Sequence, residues 1–451
     1  MSDLDRVAEQ LAELNPQRLE AGVEDAWPLR HKVPPMGGPA LLIEARSRAD
    51  VERVMVVCSA ASVPVLPVGG RSNVVGALVH MGPAVYLSLQ GLDRIQWVNE
   101  DDRMVRCDAG VIGTALERGL AEHGLTTGMY PQSLALSTVG GWVATGAMGT
   151  FSGRYGGIED VLVAVEVVLR DGTVIETPSS PRPGIGPRLA PLFVGAEGSL
   201  GVITSVILRA SSIPSRQAVE GWAMGSMEAG IGLIRRIQAA EIHPAIVRLY
   251  DPDDGVGLTE RGGGPQGAWP ILIGVVGSTE IVDAQLDVVR RLAAADDAQP
   301  LPGIGQWWLE HRYDEPAFLT AATRRGEIGD AIDVVAWWSN LIPAYREVRA
   351  AILDAGAGSC VAHISHVYDQ GASLYFVILV NERDDDRAAR TYRGIWDAAM
   401  TTAERLGVSI VHHHGLGAVR RPFAERALGT SLQLMRSITL ALDPNGVGTA
   451  S

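Results

Sequence analysis

Along the first half of the chain, apolar residues recur with two different spacings. Ser47-Arg48-Ala49-Asp50 leads into a stretch with Val51, Val54 and Met55 on one face. That pattern predicts a helix capped by a Ser-x-x-Asp box and running to about Ala61. Short apolar runs at Ala40–Ala45, Val63–Leu66, Val85–Leu89 and Met104–Cys107 predict strands, and Val111–Glu122 has the 3.6-residue period of a helix. Val161–Leu169 is a nearly continuous β-branched run interrupted by Glu166, which predicts a buried strand. Asp171-Gly172 then predicts a hairpin turn into Thr173–Glu176.

After Ser211–Ser215 the texture changes. From Val219 to about Val380, strands alternate with longer helices, among them Ala284–Ala295 and Leu341–Ala355, as expected of a second α+β domain. Val247–Asp251 places Arg248 in an otherwise apolar strand, and Tyr375 falls at the start of another. The acidic, Gly-rich stretch Asp251–Gly267 reads as a surface loop. Asp384–Leu406 reads as a helix, Val408–Val411 as a strand, and the chain ends in a helix after His412-His413-His414. The expected division is a helix and Pro-rich lead-in (1–37), a first domain (38–212), a second (213–405) and a C-terminal segment (406–451).

Composition narrows the function classes. The chain has 451 residues, enough for two or three domains, and a formal net charge of −14. That charge argues against a general nucleic-acid binder, which needs a basic surface. Three widely spaced cysteines, Cys58, Cys107 and Cys360, give neither a disulfide framework nor zinc-type spacing. No signal pattern and no apolar run long enough to span a bilayer is present, so a cytoplasmic enzyme without a membrane span is expected.

Three Gly-rich segments carry the first candidate chemistry. In Pro67-Val68-Gly69-Gly70-Arg71-Ser72-Asn73, with Gly76 following, a strand ends in a loop able to aim several N–H groups at one point, which suits a pyrophosphate. It is neither a Walker loop nor a Rossmann loop, because the Gly-Lys-Ser/Thr ending and the Gly-x-Gly-x-x-Gly spacing are both missing. Residues 131–160 crowd glycine and hydroxyl residues around few charges, and Gly195–Ile203 couples small residues to a buried strand.

Together these segments resemble the FAD domain of the vanillyl-alcohol-oxidase and p-cresol-methylhydroxylase superfamily. The resemblance implies an α+β protein: a two-lobed FAD-binding domain of the p-cresol-methylhydroxylase type plus an α+β cap domain with an antiparallel sheet. It also implies that the C-terminal segment returns to the flavin site. Pro67, Val68, Gly69, Gly70, Arg71, Ser72, Asn73 and Gly76 would hold the pyrophosphate. Pro131, Ser133, Thr138, Gly140, Gly141 and Thr145 would lie along the ribityl chain and isoalloxazine. Glu197, Gly198, Val202 and Ile203 would contact adenosine or support its pocket. Covalent members carry His where Arg71 stands, so non-covalent FAD is implied.

The second candidate chemistry lies at Arg248, Tyr375 and His412–His414. An unpaired charge in an apolar strand is costly, so Arg248 reads either as a buried ion pair or as a partner for an anion or flavin. If the histidines continue a strand, at most two of them face one way. They read as a polar active-site wall rather than a metal site, since no carboxylate or cysteine lies near at ligand spacing.

These segments resemble the alkylglycerone-phosphate synthase branch and its bacterial FAD-linked oxidase relatives. That resemblance implies Arg248 near flavin N5, Tyr375 as acid/base, and His413 and His414 as proton carriers beside His412. The chain departs from the synthases in two places, and Gly446–Ser451 replaces the Asn-Pro-Gly-Lys tail common in relatives. Thr145-Gly146-Ala147-Met148-Gly149 replaces Thr-Arg-Ala-Ser-Gly, and the phosphate-binding arginine falls near Leu319, with Arg324 and Arg325 out of register. The expected activity is therefore an FAD-dependent oxidase or dehydrogenase that removes hydride from a C–OH or C–NH carbon of a small molecule. The alternatives are a flavin-dependent transferase without net redox and a degenerate flavin-fold binding protein. A homodimer is compatible with this reading.

Overall fold

In a computed structural model of the chain, residues 2–24, 37–181, 184–314 and 325–443 are described. Pro34-Pro35, Leu319, Arg324 and Gly446–Ser451 lie outside them. The fold divides into two units. The first comprises Met1–Gly149, Gly156–Ile213 and His413–Ser451, and the second comprises Thr150–Tyr155 and Pro214–His412.

The first unit holds two main sheets. One is four-stranded, in the order Gln17–Leu19, Ala40–Glu44, Ala84–Ser88, Val65–Val68. Its last three strands are parallel, so they need crossover connections. One crossover is the helix Arg48–Ala60, where Ser47 and Asp50 form the expected reciprocal cap and Val51, Val54, Met55 and Cys58 are buried at i, i+3, i+4 and i+7. The other sheet is five-stranded and antiparallel: Ile95–Asn99, Met104–Asp108, Val202–Arg209, Leu162–Val168, Val174–Glu176. Glu166, the polar interruption in its buried strand, accepts from Thr204 Oγ1 at 2.7 Å and pairs with Arg106 at 3.2 Å and Arg48 at 3.3 Å.

The second unit is built on one seven-stranded antiparallel sheet. Its order is Gln299–Pro300, Arg216–Met224, Trp269–Gly277, Ile246–Tyr250, Ser359–Val367, Gly371–Val380, Ile328–Trp337. Helices Met227–Ala239 and Thr279–Ala294 pack on one half, and Trp338–Asp354 and Asp385–Arg405 on the other.

Three expectations need correction. Val408–Val411 is not a strand. Gly407 turns the chain with φ +65°, Ser409 makes a single bridge to Val335, and His412–His414 follow in bends. Asp251–Gly267 is not simply a surface loop. It contains the helix Val256–Arg261, and Asp251 is 1% exposed, accepting N–H bonds from Asp254 and Ala362 at 2.8 Å each. Finally, two helices, Gly417–Leu428 and Ser431–Leu442, follow the histidine run in place of one.

Candidate functional site

In the first unit the three Gly-rich segments converge. The strand Val65–Val68 releases the loop Gly69–Ala77, and a Cβ on Gly69 would lie 2.3 Å from Thr138 Oγ1. On Gly70 it would lie 1.9 Å from the Leu136 carbonyl oxygen, so only glycine lets the second segment approach the first. Arg71 (φ +56°) and Gly76 (φ +75°) are left-handed. Asn73 Oδ1 accepts from Val75 and Ala77 at 2.9 and 3.1 Å, which fixes the curve of the loop. The five successive N–H groups of Gly69, Gly70, Arg71, Ser72 and Asn73 donate to no acceptor among the described residues. Backbone donors left open along one turn form the kind of cradle that a pyrophosphate fills. Beside it, at the carboxyl ends of the parallel strands, a cavity of about 500 Å³ is lined by Val68, Arg71, Ser88 and Gln90 together with Glu13, Glu44 and Asp50.

The second segment behaves differently. It is not one loop but carries short helices, Val139–Thr145, Ser152–Tyr155 and Ile158–Val161. Its amides are already engaged: Gly140 donates to the Ala109 carbonyl at 2.8 Å, and Gly141 to Thr138 Oγ1 at 3.4 Å as an N-cap. A Cβ on Gly140 would sit 2.6 Å from that of Ala109. Part of the glycine density therefore serves packing. Thr145 Oγ1 donates back to the Gly141 carbonyl at 2.9 Å, while Pro131 is buried and Ser133 half-buried in the turn that precedes the helix.

The third segment locks the other two. Glu197 (φ +46°) donates its N–H to the Ala144 carbonyl at 2.8 Å, and Gly198 (φ +82°) approaches Pro67. Arg170 bridges the Gly198 and Val65 carbonyls at 2.8 and 3.2 Å. Both Glu197 carboxylate oxygens accept from Gly417 N–H, at 3.1 and 3.3 Å. Burial pushes the Glu197 carboxyl above the usual range, opposed by the N–H groups of Gly417 and Leu416 and by Arg421 and Arg420. Val202 and Ile203 are core residues paired with Val168 and Val167. The stretch after the histidines joins the same framework. Asn73 Nδ2 donates to the His414 carbonyl at 3.2 Å, Ala418 and Val419 donate to the Gly76 and Val75 carbonyls, and the His413 and His414 rings lie 4.3 Å apart.

In the second unit, strand register lines up a polar row. Tyr250 is opposite His363, His363 opposite Tyr375, and Tyr375 opposite Asp333. Directly opposed residues share a face, so the row crosses four strands on one side of the sheet. Arg248 enters it two residues before Tyr250, with NH1 3.4 Å from His363 Nε2. Asp254 accepts from His363 Nδ1 at 2.7 Å. Trp308 Nε1 donates to the Tyr250 hydroxyl at 3.0 Å, and its ring lies under the Arg248 guanidinium at 5.3 Å. Burial pushes the Tyr250 hydroxyl above its ordinary pKa. Tyr375 is the fifth residue of its strand, not the first, and its ring stacks on His363 at 5.3 Å.

At the far end of the row, Asp333, fully buried, accepts the His412 N–H at 2.8 Å. The Tyr368 hydroxyl lies 2.5 Å from His412 Nε2, and the His412 ring stacks on His366 at 4.8 Å. His366 Nδ1 is 2.7 Å from Ser152 Oγ. Arg248, Tyr375 and His412 thus belong to one array, while the boundary between the units falls between His412 and His413. Sequence reasoning missed His363, Asp254, Asp333 and Tyr368. The available signal was a polar residue set singly among apolar neighbours, as in Val361-Ala362-His363-Ile364 and Ile332-Asp333-Val334.

Comparisons with known proteins agree with this architecture. Residues 39–178 match the FAD binding domain, and residues 213–447 match the family of FAD linked oxidases, C-terminal domain. Alkyldihydroxyacetonephosphate synthase of Dictyostelium discoideum is 26% identical, with 91% of this chain and 72% of the relative covered. The uncharacterized FAD-linked oxidoreductase YgcU of Escherichia coli strain K12 is 28% identical, with coverage of 91% and 87%. Glycolate oxidase subunit GlcD of Bacillus subtilis is 23% identical, also with 91% and 87%. Among solved structures, an alkyldihydroxyacetonephosphate synthase superposes with a TM-score of 0.75 at 23% identity, covering 91% of this chain and 76% of that one. The 4-ethylphenol oxidase from Gulosibacter chungangensis superposes with 0.76 at 14% identity, covering 99% and 95%. Among the described residues no helix is long and apolar enough to cross a membrane. The chain belongs to the FAD-linked oxidase family, with FAD as its cofactor.

Proposed function

We propose that the protein is an oxidase or dehydrogenase acting on a C–OH or C–NH carbon of a small molecule, with FAD bound non-covalently. The observation that carries this reading is the polar row from Arg248 through Tyr375 to Asp333 and His412. Bound FAD supplies a two-electron acceptor. The open amides of Gly69–Asn73 would hold its diphosphate, with Gly198 against Pro67 at the start of that loop and Glu197 bound to Gly417, whose neighbour Ala418 donates to Gly76 at the loop's end. Arg71, rather than His, stands at the position of covalent attachment in the first loop.

The protein's own residues handle the proton and the charge. Removing hydride from a C–OH carbon requires the hydroxyl proton to leave, and our candidates to take it are Tyr375 and the Tyr368–His412 pair. A 2.5 Å contact lets the proton on either atom of that pair pass to the other, and the bond from His412 N–H to Asp333 fixes the backbone that presents the ring. Arg248 stabilises the negative charge that develops on the substrate oxygen. The two proposed domains are 38–212 for FAD and 213–405 for the substrate. Burial of all three free thiols is compatible with the proposed cytoplasmic compartment.

The relatives named as synthases support a second reading, a flavin-dependent transferase without net redox. The two are separated by anaerobic mixing of the flavoprotein with hydroxy acids, alcohols and amines. Loss of the flavin's visible band with one substrate class, persisting until an electron acceptor is added, supports the oxidoreductase. A band that no member of the panel bleaches contradicts it.

A further inference from the structure

We propose that His363, oriented by Asp254, is a positioning residue that fixes the guanidinium of Arg248. The inference rests on the reading of Arg248 as the group that stabilises substrate charge. Asp254 Oδ2 lies 2.7 Å from His363 Nδ1, and an ionised carboxylate only accepts, so the imidazole proton belongs on Nδ1. Nε2 is then left with a lone pair, and it faces Arg248 NH1 at 3.4 Å. A guanidinium only donates, so this tautomer is the one in which every contact joins a donor to an acceptor. The Tyr250 and Tyr375 rings, 5.1 and 5.3 Å from the imidazole, limit its swing.

The same contacts explain why Arg248 is available to a ligand. Among the described residues it forms no ion pair with a carboxylate, and its buried Nε has no hydrogen-bond partner. A guanidinium sunk into a sheet without a direct counter-charge is costly unless something else holds it. Here the imidazole Nε2 on one side and the Trp308 ring on the other hold the group without a direct counter-charge. Asp254 acts at one remove, through the imidazole, so the cation keeps its reach for an anionic oxygen.

Two measurements on the holoenzyme test this. The first is the imidazole ¹⁵N spectrum of the substrate-free protein, with His363 assigned by its disappearance in His363→Gln. A proton on Nδ1 alone is expected, and a proton on Nε2 alone overturns the proposal. The second compares flavin reduction at saturating substrate in His363→Leu and His363→Gln. Gln can donate to Asp254 and accept from Arg248, whereas Leu can do neither. We expect His363→Leu to slow reduction about 10- to 100-fold, with FAD content and melting temperature kept, and His363→Gln to stay within about threefold of the wild type. Equal rates in the two variants overturn the positioning role. If no substrate bleaches the wild-type flavin, the proposed activity fails, and the imidazole spectrum still decides the tautomer.

Discussion

The Tyr368 hydroxyl lies 2.5 Å from His412 Nε2, while the tyrosine that sequence reasoning favoured, Tyr375, stacks on His363 and stands one strand from Asp333, which takes the His412 N–H. Tyr368 adjoins the histidine run, and Tyr375 adjoins the histidine that faces Arg248. Tyr368→Phe keeps the ring and removes the proton. Its flavin reduction rate is expected to fall about 100-fold, with FAD retained, as is usual when a positioned acid or base is lost. Anaerobic stopped-flow reduction checks this, and an unchanged rate would remove Tyr368 from the mechanism.

Glu197 ties the third Gly-rich segment to the chain after the histidines through Gly417. Glu197→Ala leaves that N–H at the start of the helix Gly417–Leu428 without its acceptor. A loss of about 1–3 kcal/mol is expected, as for a buried donor left unsatisfied. The rise of flavin fluorescence on heating reports release of FAD, and its midpoint should drop. An unmoved midpoint would show that the clamp does not support the cofactor loop.

Gly70→Ala places a methyl group against the Leu136 carbonyl, where a Cβ would sit at 1.9 Å. Backbone cannot swing aside as a side chain can, so the variant is expected to purify colourless or to take up FAD at least about tenfold more weakly. Gly394 is the contrast: it lies within the helix Asp385–Arg405, with nothing within 4 Å of an added Cβ. Gly394→Ala should stabilise the fold by about 0.5–1 kcal/mol, read by urea unfolding, and leave FAD uptake unchanged.

Asp251 gives a pH signature. Burial pushes its carboxyl up to about 6, with the nearby Asp254 carboxylate adding to the rise and the Ala362 and Asp254 N–H groups opposing it. A raised carboxyl is most favourable to the fold when protonated. Its contribution is therefore complete below the unfolded value of 3.8 and is lost as pH rises through about 6. The difference is about 3 kcal/mol. The melting temperature of the wild type relative to Asp251→Asn should fall between pH 4 and pH 7. A difference that stays level across that window, or rises, would contradict the assignment.

What the sequence made legible follows the range of the interactions. The cap at Ser47 and Asp50 and the hairpin at Asp171-Gly172 depend on residues only a few positions apart, and they stand as read. The Gly-rich segments were legible as a group because close approach of backbones demands glycine, and Gly69, Gly70 and Gly198 meet their neighbours as that demand implies. The polar row was only partly legible. Arg248, Tyr375 and His412 were visible, but His363 and Asp333 acquire their roles from strand register between segments far apart in the chain. The misread strand at Val408–Val411 has a physical origin too. Its residues suit a strand, but after the bridge at Ser409 the Asp333 side chain, not a ladder carbonyl, takes the His412 N–H.

Net oxidation of the substrate is decided by a single anaerobic turnover with no electron acceptor present. The flavoprotein is mixed with a substrate that bleaches it, and the visible band is followed to completion. The flavin is expected to stay reduced until an external acceptor is added, with one oxidised product released per flavin. A band that returns without an acceptor, with a substituted product in place of an oxidised one, would contradict it and establish the transferase reading.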